Sequence, residues 1–200
     1  MRDPTRGTEA SQQTAAFLTT VNEVDMSGAL SFRKKHRGTI LERHGVQLGT
    51  MGVMARASVL ALKDIPAMNA SIENGDTVVY RDYVDLSVAA SIPKGPVTPA
   101  LRNRESMSIV EIEKDIADLA RDGKLTMDDL TGGSFTISNS GVWGSLFWHA
   151  DHQYASDGCV GDMMYIAFTS DRRIIDGREA VAFLTPVKKS LEQPEAMLPE

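Results

Sequence analysis

The dipeptide Asn74-Gly75, set between β-prone runs in "ASIENGDTVVYRDYVDLSVAASIP", constrains the fold more than any other feature of the chain. Both residues suit a tight turn whose central positions need positive φ, so the stretch reads as a β-hairpin. Just downstream, Val84, Leu86 and Val88 alternate with Asp85 and Ser87, the period of a strand with one buried face. Helical segments precede it. "SGALSFRKKHRGTILERHG" offers Ser27 as an N-cap and Gly45 as a C-terminal stop. "MGVMARASVLALKDIP" is a second helix ending before Pro66, apolar nearly all round and so buried on several sides.

The rest of the chain continues the mixture. "AAFLTTVNEVDM", "GGSFTIS" and "MMYIAFTS" read as strands, being rich in β-branched and aromatic residues. "SIVEIEKDIADLARDGKL" is helical, with Ile109, Ile112, Ile116 and Leu119 on one stripe and Ser108 with Glu111 forming a capping box. A last helix starts near Gly177 and carries Pro186, which is expected to kink or shorten it. Residues 1–13, with Pro4 and Gly7, read as an irregular segment, and residues 14–200 as one core domain. Strands interleaved with long helices predict an α/β (α+β) two-layer domain.

Composition excludes several classes. The net charge of −6 argues against a nonspecific nucleic-acid surface. The single cysteine, Cys159, rules out an intrachain disulfide framework. No apolar run reaches the roughly 18 residues of a membrane span, and the polar start "MRDPTRGTEASQQ" has no signal-peptide core.

Two loops carry candidate chemistry. "TGGSFTISNSGVWGS" opens from a strand into Gly, Ser, Asn and Trp143, where a hydroxyl at a strand end can donate to a developing oxyanion. The plainer alternative is a turn, which these residues favour for backbone reasons. "SDRRIIDGREAV" places Arg172 and Arg173 before Asp176-Gly177. With Glu179 three residues on, Asp176 also reads as an N-cap in a capping box, and the arginines as solvated or paired with Asp171 and Asp176.

"LTTVNEVDMS", "NASIENGDTVVYRDYVDLSVA", "LTGGSFTISNSGVWGSL" and "MMYIAFTSDRRIIDGREAVAFL" together resemble the catalytic core of the dihydrolipoamide acyltransferases of 2-oxo acid dehydrogenase complexes, with the succinyl branch the nearest match. The resemblance runs from about residue 10 to 195. It implies a chloramphenicol acetyltransferase-like mixed sheet flanked by helices, assembled as a homotrimer and then as a 24-subunit cubic core. It implies succinyl transfer between dihydrolipoamide and coenzyme A, in the tricarboxylic acid cycle. Coenzyme A is then a substrate, the lipoyl group rides on a separate domain, and no metal is involved. The implied partners are the decarboxylase and dihydrolipoamide dehydrogenase components, with no nucleic acid and no membrane. The compartment is the bacterial cytoplasm or the mitochondrial matrix. Lipoyl and subunit-binding domains are not present in the chain, and the resemblance places them N-terminal to residue 1.

The resemblance also assigns site residues. Its motif Asp-His-Arg-x-x-Asp-Gly falls on residues 171–177, with Arg172 at the position of the general-base histidine. Ser138 takes the place of the oxyanion-stabilising hydroxyl, and Asp176 that of the aspartate fixing local geometry. A guanidinium has no free lone pair with which to take a proton. A second reading is therefore a structural core subunit that assembles the complex without catalysing transfer. A third is a chloramphenicol-type acetyltransferase. The stretch "WHADHQYASDGCVGD" is shorter than the family's, removes a strand near its active site, and reads as a loop. His149 and His152 lie in it, either as substitute bases or as ordinary surface histidines.

Overall fold

The computed structural model describes residues 13–92, 95–122, 126, 128–139, 141, 153–156 and 159–198. Strand β1 (Phe17–Asp25) leads into helix α1 (Ser27–His44), helix α2 (Thr50–Asp64) and a 3₁₀ turn at Pro66–Asn69. Short strands follow: β2 (Ser71–Glu73), β3 (Thr77–Val79), β4 (Leu86–Val88), β5 (Ala90–Ile92), β6 (Gly95–Val97) and β7 (Ala100–Leu101). Helix α3 (Ile109–Asp122) precedes β8 (Phe135–Ile137), β9 (Gln153–Ser156), β10 (Cys159–Asp171) and helix α4 (Gly177–Glu192). The mixed α/β reading is what the chain adopts. Among the described residues, no helix is long and apolar enough to cross a membrane.

Long-range antiparallel pairing joins β1 to β10 along their length, from Phe17 opposite Asp171 to Asp25 opposite Met163. β9 pairs with the start of β10, so part of the stretch expected to be a loop is a hairpin, closed by Gln153 opposite Asp162. The local pairing energy of that hairpin outweighs the turn-rich composition that suggested a loop. A second sheet has the order β7-β4-β8, with β4 and β8 parallel. The Asn74-Gly75 hairpin forms as expected: β2 and β3 pair across a turn in which both residues have positive φ.

Three expectations need correction. The α1 N-cap is Met26 and not Ser27; the Asp25 carboxylate instead accepts the Ser27 N–H at 2.8 Å, moving the cap function two residues upstream. β4 is not half-buried, because Asp85 and Ser87 are buried along with Val84, Leu86 and Val88. It is the central strand of its sheet, paired on both edges, and the Asp85 carboxylate just before it is buried against Arg102 and the Asn103 N–H. Finally, α4 runs through Pro186 to Glu192 and is not shortened. Phe183, Leu184, Val187 and Leu191 pack on both sides of the proline, and tertiary packing of that face outweighs the lost intrahelical bond.

Helix α2 explains its own apolar sequence. Val53, Met54, Ala57, Val59 and Leu62 join a core with Val24, Phe32, Ile166, Phe168 and Phe183. Ala55, on another side of the same helix, joins Leu86, Val88, Leu101, Ile112 and Ile137 in a second core. The helix start has no side-chain cap of its own. Glu113 of α3 supplies one: its Oε1 accepts the N–H groups of Gly49 at 3.0 Å and Gly52 at 2.7 Å. A Cβ on Gly52 would lie 2.3 Å from Glu113 Cγ, so the carboxylate reaches the helix only because residue 52 has no side chain.

Glu113 is buried and its pKa is raised, with burial as the leading cause. A raised folded-state value means that this group favours folding most below its ordinary 4.5, and that the contribution fades as pH rises through the raised value. Glu113→Ala strands the buried Gly52 N–H and the half-buried Gly49 N–H and is expected to lower stability by about 1–3 kcal/mol. Glu113→Gln keeps an acceptor, loses less, and removes the titration above pH 4.5; urea unfolding of the three proteins across pH measures both effects.

Candidate active site

The site is built at the C-terminal ends of β8 and β10. β8 is fixed at its start by Asp85, the residue before β4. The Asp85 carbonyl accepts the N–H groups of Ser134 at 2.8 Å and Phe135 at 3.2 Å, and the Asp85 N–H donates to Ser134 Oγ at 3.1 Å. The Asp85 carboxylate, buried at 5% exposure, accepts from Arg102 Nη1 at 2.8 Å and from the Asn103 N–H at 2.9 Å. Arg102 then gathers the turn before β8, donating to the carbonyls of Asp128, Thr131 and Gly132. Gly132 has φ of +80°, and a Cβ on Gly133 would lie 1.9 Å from Ser87 Oγ, so the "TGG" turn is required by backbone geometry and close approach. Sequence reasoning missed Asp85 and Arg102. Their only signal was a charged residue inside an apolar strand pattern.

Three residues after the start of β8 stands Ser138, which is exposed. The next residues do form a turn: Asn139 Oδ1 accepts the Gly141 N–H at 2.9 Å. The turn and oxyanion readings of this stretch are thus compatible. Trp143, His149 and His152 lie outside the described residues.

At the end of β10 the acidic turn is held from several directions. Asp171 accepts from the Arg173 backbone N–H at 3.0 Å, from Arg173 Nε and Nη2, and from the Ala16 N–H at 3.3 Å. The Arg173 side chain is the leading reason that the Asp171 carboxyl is held down at about 2. The Asp171 carbonyl accepts the N–H groups of Ile174 and Ile175, both at 3.0 Å. Asp176 is the N-cap of α4 in a reciprocal box: its Oδ1 accepts the Glu179 N–H at 2.7 Å, and Glu179 accepts the Asp176 N–H at 3.1 Å. Arg172 is exposed; its backbone N–H donates to the Ala16 carbonyl at 2.7 Å, and its guanidinium pairs with no carboxylate among the described residues.

Between β8 and β10 lies a cavity of about 370 Å³. Ser138 and Asp171 line it together; Arg172 and Asp176 do not. Its lining also includes Ser170, a residue no motif singled out, although the inward phase of Met164, Ile166 and Phe168 reaches it two residues later.

A family model for the catalytic domain of 2-oxoacid dehydrogenase acyltransferases matches residues 6–150 and 151–199. The chain is 50% identical to the mitochondrial dihydrolipoyllysine-residue succinyltransferase component of the 2-oxoglutarate dehydrogenase complex of Saccharomyces cerevisiae, over 94% of this chain and 45% of that one. It is 45% identical to the corresponding component from Escherichia coli K12, over 94% of this chain and 51% of that one. The chain therefore spans about half the length of the curated relatives it matches. Among solved structures, a probable dihydrolipoamide acetyltransferase from Listeria monocytogenes superposes with a TM-score of 0.84 at 26% identity, covering 96% of this chain and 93% of that one. A chloramphenicol acetyltransferase shares the fold with a TM-score of 0.56 at 17% identity, covering 89% of this chain and 86% of that one.

The depressed pKa of Asp171 has a defined signature. Its contribution to stability is present above the ordinary 3.8 and is lost as pH falls through about 2. Urea midpoints taken across that window are expected to fall for the wild type and to fall less for Asp171→Asn. Equal slopes in the two proteins would remove Asp171 from this role.

Proposed function

The chain belongs to the family of 2-oxoacid dehydrogenase acyltransferase catalytic domains, and from that premise we propose that it moves a succinyl group between dihydrolipoamide and coenzyme A. The observation that carries the reading is the convergence of Ser138 and Asp171 on one cavity at the ends of β8 and β10. In the forward direction the coenzyme A thiol loses its proton, and the thiolate attacks the thioester carbonyl of S-succinyl-dihydrolipoamide. Ser138 donates its hydroxyl to the tetrahedral oxyanion. The carbon–sulfur bond to dihydrolipoamide then breaks, and the departing thiolate is protonated. Asp171, Arg173 and Asp176 keep the turn beside this centre in shape. No Lys, Arg or His side chain lines the cavity among the described residues, so it suits thiol ends better than phosphates or carboxylates.

The chain departs from the family's motif at the proton-accepting position. Arg172 stands where the family's histidine acts, and its guanidinium cannot take the thiol proton. This favours a second reading, in which the chain is a structural core subunit with little transfer activity. On either reading the partners are other copies of the chain, as a homotrimer within a 24-subunit cubic core, together with decarboxylase and dihydrolipoamide dehydrogenase components. The setting is the bacterial cytoplasm or the mitochondrial matrix.

Transfer from succinyl-CoA to dihydrolipoamide, followed by chromatographic separation of free coenzyme A from succinyl-CoA, separates the two. A missing general base costs on the order of 100- to 10,000-fold, so Arg172→His is expected to raise the rate by that range over the wild type. Ser138→Ala in the Arg172→His background is expected to remove about 100-fold or more of the gain. A wild-type rate at background, unmoved by Arg172→His while the protein still elutes as a trimer, supports the structural subunit and rules out the enzyme.

A further inference from the structure

Ser170 is the last inward-facing residue of β10. It is 8% exposed, and its Oγ has no hydrogen-bond partner among the described residues. A buried hydroxyl without a partner carries a desolvation cost that native interiors rarely leave uncompensated. The side chain lines the cavity between β8 and β10. Apart from Ser58, also buried, the rest of the buried lining is apolar, and Met54, Met68, Ile166, Phe168 and Phe183 are all under 10% exposed. Three of the lining residues form an aromatic cluster, with Phe135 5.6 Å and Phe168 4.8 Å from Phe183 between ring centroids. Ring edges and faces set at such tilts accept a further ring in an edge-to-face or offset contact, and the flexible Met54 and Met68 thioethers adapt to its shape.

We propose that this cavity is a binding site for a small, uncharged aromatic molecule bearing one hydroxyl group, with the ring against Phe135, Phe168 and Phe183 and the hydroxyl on Ser170 Oγ. Size permits it: an apolar cavity of about 150 Å³ is enough for benzene, and this one measures about 370 Å³. Charge selects against anions. No cationic side chain lines the cavity among the described residues, and Asp171, held down at about 2, contributes a carboxylate at its edge. A carboxylate entering would exchange full hydration for a few hydroxyl groups, with no cation among the described lining residues to pair it. The succinyl carboxylate of the proposed substrate therefore belongs outside this cavity. The inference rests on the cavity and Ser170, and not on acyl transfer or on the identity of residue 172.

Phenol, toluene and benzoate distinguish the contributions, because phenol and toluene differ by a hydroxyl in place of a methyl group. Titration calorimetry on the wild-type chain and on Ser170→Ala reads the binding directly, without any catalytic turnover. Ser170→Ala deletes a hydroxyl that bonds to nothing in the fold, so unfolding midpoints equal to or above the wild type show that it is intact. Saturable one-to-one binding of phenol is expected in the wild type, about 2- to 10-fold tighter than toluene, the range for one hydrogen bond. In Ser170→Ala that preference disappears while toluene binding is retained. No saturable phenol binding, an unchanged phenol preference in Ser170→Ala, or benzoate binding as tightly as phenol would each overturn the proposal. Because succinyl transfer is not the readout, an inactive enzyme that binds phenol leaves this site standing, and an active one that does not bind phenol removes it.

Discussion

Glu113 lies beneath the first turn of α2, with one carboxylate oxygen taking two backbone N–H groups, and both hydrophobic cores are organised around the helix it caps. A helix N-terminus brings unsatisfied donors and a partial positive charge wherever it is buried. Here that end is met by a side chain from α3, so the two helices are locked at one point where neither has freedom to slide. The requirement propagates outward. Residue 52 can have no side chain, Ile112 next to Glu113 is turned into the second core, and α2 presents Ala55 to that core while Met54 and Val53 face the other. A carboxylate buried this way opposes its own ionisation, yet its two hydrogen bonds supply the side-chain acceptor that the helix start otherwise lacks among the described residues.

The same logic of a polar group fixed inside an apolar layer positions the site. Asp85 is buried beside the central strand of the second sheet and is satisfied twice over, by Arg102 through its carboxylate and by the start of β8 through its backbone. Arg102 collects three carbonyls of the preceding turn with its planar fork, a task for which a lysine point charge lacks the geometry. The start of β8, three residues before Ser138, is therefore fixed by Asp85 and its ion pair with Arg102. On the other flank, β1 holds β10 along its whole length, which brings Asp171 to the same cavity.

Features carried by neighbouring residues were legible in the sequence. The Ser108–Glu111 and Asp176–Glu179 boxes, the Asn74-Gly75 turn and the Gly45 stop all depend on partners within four residues, and all appear as read. What depended on distant partners was not. Nothing local reveals that Glu113 meets Gly52 across 61 positions, or that the Arg102 fork closes on a turn about thirty residues away. The burial of both Asp85 and Ser87 likewise depends on distant residues, Arg102 at the Asp85 carboxylate and Gly133 against Ser87, which the alternation of β4 cannot report. The shortening expected at Pro186 does not occur, because packing on either side of it, which propensity does not report, holds the helix together. Of the site residues, Ser138 was read from a resemblance and falls on the cavity, while Ser170 was legible only as the continuation of a strand phase whose importance depends on what surrounds it.

Residue 172 shows why fold and chemistry separate here. The turn is made by the Asp171 carboxylate on Arg173 and Ala16, by the Asp171 carbonyl on Ile174 and Ile175, by the burial of Ile175, and by the Asp176 box. Position 172 contributes only its backbone N–H, given to Ala16, which any residue but proline can supply. Its side chain is exposed and takes no part in the turn. An arginine there leaves the turn intact. The bonds that shape this turn therefore place no demand on the side chain of residue 172.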